Sequence, residues 1–232
     1  MSASILPFVD EPRPAIDPHP LSDYVAWAGR RNRNPILEVF RERFPKTGDV
    51  LELASGAGLH INYFAPHFPD VAFQPSDLTE EVFASIEAKR AEQGNANVRD
   101  PIRIDLTDAA TFPSDERRYD AIFVINIFQV APVAINDGIA ALAAKTLKDD
   151  GRVYIYGPFK IDGRYTTPSN QAFDEEIRAA AVPEWGLKDV RDLEAAARPH
   201  GIVLTETIER PANNFILVFG RAGSPATNHS TS

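Results

Sequence analysis

Three acidic side chains stand at the ends of three short apolar runs: Glu52 in VLEL, Asp77 after VAFQPS, and Asp105 in IRID. The first is followed at once by ASGAG, so Gly56 and Gly58 fall in a turn ahead of a helix-forming stretch. Small residues there let backbone N–H groups approach a ligand closely. Asp77 comes nineteen positions after Gly58, where a carboxylate past a strand end accepts both hydroxyls of a ribose. A nicotinamide fingerprint would want a third glycine at position 61, for close packing of helix on strand, and that position is Ile61. A lone glycine turn is most often only a turn. Three consecutive strands ending in acids or glycines set polar groups along one sheet edge, where open α/β folds take ligands.

His60 follows the glycine turn, as a base, as a hydrogen-bond partner for a cofactor, or as a structural residue of the helix's first turn. Gln129 and Tyr156, near the ends of the fourth and fifth apolar runs, are the other candidates for chemistry. Candidate substrate contacts are Tyr24, Arg33, Gln129, Tyr156, Phe159, Lys160 and Asn170. Several of them fall in YGPFKIDGRYTTPSNQAF, an excursion long, aromatic and polar enough to form a lid. Asn213 and Asn214 open the last strand, reaching a pocket mouth or shaping a hairpin turn.

Other chemistries are excluded by what the chain lacks. It has no cysteine, which removes disulfides, thiolate zinc sites, iron–sulfur clusters and thiol nucleophiles. Cytosine C5 methylation goes with them. The fourth run ends Asn126-Ile127-Phe128-Gln129 rather than in the D/N-P-P-Y of amino methylation of adenine or glutamine, and no acid lies between Asp120 and Asp137 to hold a metal. A net charge of -9 repels a phosphate backbone, so no nucleic-acid partner is expected. No window reaches the ~18 apolar residues of a membrane span, and the first residues lack a basic segment. A cytoplasmic chain with a small-molecule partner, no membrane association and no metal is the expectation.

The elements that must position these residues alternate short branched runs with helical patterns. Strands are expected at 49–53, 71–74, 101–105, 121–126, 152–156, 202–208 and 214–219. Helices are expected from an Asn34 cap with Pro35 first, after Gly58, over 79–93 capped by Thr79, over 133–147 ending at Asp149-Asp150-Gly151, and over 190–198. The five residues linking the last two strands fit an antiparallel hairpin. Fold class is therefore α/β, a seven-stranded sheet with an antiparallel last strand and helices on both faces. Three regions are expected: a proline-rich arm and lid over 1–33, a ligand-binding domain over 34–221 and a disordered tail over 222–232.

The order of strands, with LELASGAG and QPSD, resembles the class I S-adenosylmethionine-dependent methyltransferases and their Rossmann-like sheet, over roughly residues 30–221. RNRNPILEVF, YGPF, PSNQAF, PEWG and PANN make it similar to a small methyltransferase-like subfamily. The resemblance implies S-adenosyl-L-methionine as cofactor. It places Glu52, Ala54, Gly56 and Gly58 along the methionine and ribose, Asp77 with Leu78 at the ribose hydroxyls, Asp105 with Leu106 at the adenine, and Asn126 and Ile127 near the sulfonium. Two departures stand out: Ala54 replaces the usual first glycine, and Gln129 lies in a segment where the subfamily often carries histidine. Glutamine is no general base at neutral pH. The implied function is methyl transfer to a small molecule. A non-methylating rearrangement or cyclisation assisted by the sulfonium, and a non-catalytic binding module of the same fold, are the alternatives.

Overall fold

The computed structural model describes residues 11–114 and 118–223. Its first helix, α1 (Asp23–Arg43), is capped by the Ser22 side chain, which accepts from the Val25 N–H. The expected opening at Asn34 is corrected, because Pro35 lies inside this helix. An interior proline costs about 3 kcal/mol, whereas each large apolar side chain buried here, among them Ile36, Leu37 and Phe40, returns about 1.5–3 kcal/mol. Packing wins, and the helix runs straight across the expected arm–domain boundary at 33/34. Beyond Gly223 the expected tail lies outside the described residues, as do residues 1–10 of the expected arm.

After α1 come β1 (Gly48–Leu53), α2 (Leu59–Phe64), β2 (Val71–Asp77), α3 (Phe83–Gln93), β3 (Ile102–Arg103), β4 (Tyr119–Ile125), α4 (Ala134–Thr146) and β5 (Leu147–Gly157). A small ribbon, β6 (Lys160–Ile161) and β7 (Arg164–Tyr165), then precedes α5 (Pro168–Arg178), α6 (Val190–Ala197), β8 (Ile202–Arg210) and β9 (Asn214–Arg221). Seven strands form one sheet in the order β3-β2-β1-β4-β5-β9-β8. The first five run parallel, and β9 is antiparallel to both its neighbours. The expected sheet, antiparallel last strand included, is the one observed.

Strand alternation fills both faces. Val50, Phe73, Phe123 and Tyr154 join Phe40 of α1 and Phe64 of α2 in one core. Leu51, Leu53, Ile122, Val124 and Ile155 join Ile139 and Leu142 of α4 and Leu193 of α6 in the other. Central parallel strands buried on both sides read as near-continuous apolar runs.

Among the boundaries that differ from expectation, three have a local reason. β2 continues through Pro75 to Asp77, and β3 is correspondingly cut to two residues. Phe73 bonds Asn97 and Arg99 on the β3 side; alternation turns Pro75 to the same side, where it has no N–H to give. The Gln74 side chain fills that gap by donating to the carbonyls of Pro75 and Asp100. β5 starts at Leu147, directly after α4, but Leu147 faces Tyr119 and Arg152 faces Ala121, so residues 148–151 bulge out of the ladder. The excursion after β5 is built around the ribbon and α5.

Two features of β1 bear on the site. Glu52 is 2% exposed, and burial pushes its carboxyl up from 4.5 to about 8, only partly countered by a bond with Ser55. It is neutral at pH 7. Just beyond the strand, Ala54 takes φ +52°, the left-handed region that favours glycine.

Replacing Ala54 by glycine is expected to raise unfolding free energy by about 1 kcal/mol, strain relief being partly offset by greater unfolded-state freedom. A lower urea midpoint for Ala54→Gly would contradict this. Because the Glu52 pKa is raised on folding, its stability contribution is complete below the unfolded value near 4.5 and is lost as pH rises toward about 8. Urea midpoints of wild type should therefore fall across that window more steeply than those of Glu52→Gln. Parallel curves would refute the assignment.

Candidate functional site

A cavity of about 830 Å³ opens at the carboxyl ends of β1, β2 and β4, within the range of about 300–1,000 Å³ typical of small-molecule sites. Arg13, Ile16 and Pro18 of the N-terminal segment, one side of α1, the start of α5 and the β8–β9 hairpin wall its outer half.

The inner half is built on the glycine turn. Ala54, Gly56 and Gly58 all have positive φ, and the turn is closed by bonds from Ser55 N to Ser76 O and from Gly58 N to Ser55 O. Gly56 N donates to Asp77 Oδ2 at 2.8 Å, and Thr79 N donates to Oδ1 of the same carboxylate at 3.2 Å. Burial raises the Asp77 pKa, and these backbone donors oppose the shift. Each oxygen keeps an accepting direction beyond its backbone bond. Beside it, Leu78 is 55% exposed on the same wall. Asp105 accepts from Thr107 N and Thr107 Oγ1, which hold its carboxyl below the usual range and fix the loop that places Leu106 on the wall.

Two residues expected on this wall stand behind it. Glu52 is buried beneath the turn, and its Oε2 has no hydrogen-bond partner among the described residues. Gly58 caps α2, and a Cβ there would lie 3.0 Å from Ile86 Cα. Gly58 therefore serves the close contact of α2 with α3.

Past β4, Asn126 takes φ +56° while its N–H bonds Tyr156 O. Asn126, Ile127, Gln129 and Tyr156 all reach the cavity, and Gln129 Nε2 donates to Asn126 O. Burial raises the Tyr156 pKa well above its ordinary value, so the hydroxyl is protonated. His60 lines the cavity and pairs through Nε2 with Asn32 Oδ1 at 2.6 Å. Burial, then Arg33, pushes this imidazole down to about 3. It is neutral, a weak base, and donates through Nε2 to the amide oxygen.

Of the expected substrate contacts, Tyr24, Gln129, Tyr156 and Asn170 are on the wall. Phe159 is a correction: it is fully buried against Phe128, ring centres 5.7 Å apart. Arg33 turns away to cover the Tyr63 ring at 4.3 Å. Lys160 lies 3.4 Å from the buried Asp174 carboxylate and over the Tyr165 ring. Missed residues include Asn32, and Phe173 and Ile177, which share a face of α5 with Asn170. The spacing of 170, 173 and 177 was a helical signal, masked by reading the excursion as a loop.

Ala54, Asn126, Ala212 and Asn213 are non-glycine residues with positive φ, and all four line this cavity. Strain of this kind collects where a site needs an unusual backbone. Among the described residues, no group of three or more His, Cys, Asp or Glu side chains is placed to hold a metal, and no helix is long and apolar enough to cross a membrane.

The architecture is that of the Rossmann-like methyltransferase sheet. CalO1, titled a methyltransferase in calicheamicin biosynthesis in its SAH-bound form, superposes with TM-score 0.67 at 18% identity, over 86% of this chain and 56% of its own. An O-methyltransferase family protein from Burkholderia thailandensis gives 0.70 at 15% identity, over 86% and 60%. An O-methyltransferase family 2 protein from Planctomyces limnophilus, solved in complex with apigenin, gives 0.69 at 15% identity, over 85% and 60%. The chain thus spans under two thirds of the length of these structures, and at such identities the likeness is one of fold. The family model described as a protein of unknown function (DUF938) matches residues 23–221, and the chain belongs to that family.

Proposed function

We propose that this chain binds S-adenosyl-L-methionine along the carboxyl edge of the sheet and transfers its methyl group to a small-molecule acceptor in the outer half of the cavity. The observation that carries the reading is the Asp77 carboxylate, pinned by Gly56 N and Thr79 N yet still able to accept, beside the exposed Leu78. A ribose diol and an adenine face match that pairing of a carboxylate with bare apolar surface. Bound there, the cofactor supplies an electrophilic methyl on a sulfonium.

The chain's own residues then do four things. The left-handed turn at Ala54 and Gly56 presents backbone to the methionine portion. Asp77 orients the ribose, and Leu106, with Asp105 bracing its loop, borders the adenine. Asn126 and Ile127 hold the end of β4 against the reacting group. Residues 11–22 act as a lid whose ties are Glu11 to Arg30 at 2.7 Å and Arg13 to Glu176 at 2.6 Å. Exposed pairs of this kind are worth about 0–1 kcal/mol each, weak enough to open for exchange of ligands. Alignment and water exclusion are most of what such a displacement asks of a protein.

Ala54, where the usual glycine is missing, adopts the conformation that a glycine would, which counts against a non-catalytic module. The resemblance to a small methyltransferase-like subfamily, the net charge of -9 and the solved complex of a fold neighbour with apigenin support a cytoplasmic enzyme of small molecules rather than of nucleic acid. The subfamily motifs add Asn170 and Asn213 to the acceptor side.

Titration calorimetry should detect binding of both S-adenosylmethionine and S-adenosylhomocysteine, and absence of both would end the reading. Asp77→Ala should weaken that binding by about 1.5–3 kcal/mol, roughly 10- to 150-fold; an unchanged dissociation constant would show that Asp77 does not touch the ribose. Acceptance of two hydroxyls needs the ionised carboxylate, and the Asp77 pKa is raised. Affinity should accordingly decline on acidification at a pH above the ordinary Asp range near 3.8. A flat profile down to that value would contradict it.

A further inference from the structure

We propose, resting on the methyl-transfer reading, that the acceptor is a primary or secondary amine held through its N–H hydrogens by carboxamide oxygens on the outer wall. Gln129, Asn170 and Asn214 line that wall. Gln129 Nε2 donates to Asn126 O, Asn170 Nδ2 to Asn213 O and Thr166 Oγ1, and Asn214 Nδ2 to Pro211 O and Ala212 O. Each side chain has a backbone carbonyl among its partners, and a carbonyl only accepts. The NH2 ends are thereby fixed on the protein, and the orientation of all three amides follows.

What remains on each is its C=O. Among the described residues none of these three oxygens has a hydrogen-bond partner, and none is among the polar atoms sealed from open space. Gln129 and Asn170 are only 9% and 5% exposed, so their oxygens are not ordinary surface groups. Facing the open cavity, these oxygens are left to water, and a ligand carrying several N–H groups replaces that water with donors held in place. Gln129 lies in the turn after β4, whereas Asn170 and Asn214 come from α5 and β9. This puts the three on the β4–β5–β9 side of the sheet, away from the Asp77 half over β1 and β2.

The two arginines that line the cavity have partners while the lid is closed: Arg13 is paired with Glu176, and Arg31 stacks over Trp27 at 4.8 Å. Tyr24 and Tyr156 hydroxyls both donate and accept, so they do not discriminate. Among the described residues this wall offers no strong base, which points the same way: an amine that has first released its ammonium proton to water attacks with its own lone pair, whereas an alcohol needs its proton removed as it attacks. The nitrogen forms the new bond to the methyl carbon, the carbon–sulfur pair returns to sulfur to leave a neutral thioether, and the alkylated ammonium gives its proton to water.

Matched probes test this by binding alone. Benzylamine against benzyl alcohol, and aniline against phenol, would be titrated calorimetrically into protein saturated with S-adenosylhomocysteine. At least one amine should bind ten-fold or more tighter than its alcohol. Gln129→Met and Asn214→Ala should each lower that amine's affinity about five-fold without changing S-adenosylhomocysteine affinity. Two variants on separate elements guard against misfolding of either. Equal or tighter binding of the alcohols overturns the inference, as does failure of every probe on protein that takes up S-adenosylhomocysteine. Failure to take up S-adenosylhomocysteine is a different result, since it overturns the methyl-transfer reading and this inference with it.

Discussion

The hydrogen bond from Gly56 N to Asp77 Oδ2 ties the turn after β1 to the end of β2, and the cavity's inner half depends on it. Bonds of a backbone N–H to an ionised carboxylate are worth about 1.5–3 kcal/mol. That suffices to hold a turn whose Ala54 sits in a strained region. Support also comes from below, where Ser76 Oγ donates to Glu52 O and Ser76 N donates to Ser55 Oγ. Two strand ends and one turn thus form a single rigid piece, with a carboxylate facing outward and a neutral Glu52 beneath.

The outer half is made differently. Its elements are held to one another by side chains rather than by a sheet ladder. Asn170 joins the first turn of α5 to the hairpin through Asn213 O, and Asn213 Nδ2 reaches back to Ser169 Oγ. Behind α5, the fully buried Asp174 accepts from Tyr165 OH, Arg178 Nε and Leu187 N. One carboxylate fastens the helix to the ribbon and to the segment after it. Breaking such a buried cluster by removing one partner is severe, so α5 behaves as part of the wall. Residues 11–22, before α1, are tied instead by exposed ion pairs.

How much of this was legible in the sequence follows from what each signal measures. Apolar runs and glycine turns report local geometry and burial, so the sheet, its antiparallel last strand and the Gly56–Asp77–Asp105 edge could be read directly. Boundaries failed where tertiary packing overrode local preference. Pro35 reads as a helix start, yet apolar burial carries α1 through it. Pro75 reads as a break, and instead the neighbouring strand was shortened. Side-chain direction was the least legible. Phe159 and Asn170 sit in one segment of similar polarity, but one fills the core against Phe128 and the other faces the cavity. Which carboxamide oxygens lack partners is a matter of long-range geometry, set by Asn126, Thr166 and the hairpin carbonyls, and no spacing in the chain encodes it.

The central claim is a placement: an adenosyl sulfonium lies with its ribose on Asp77 and its methyl toward the end of β4. A crystal structure of the chain grown with S-adenosylhomocysteine measures it most directly. The account predicts both ribose hydroxyls within about 3.2 Å of the Asp77 carboxylate oxygens, and the thioether beside Asn126 and Ile127. Ligand density elsewhere on the molecule, or a ribose turned away from Asp77 with no contact to it, would contradict the claim.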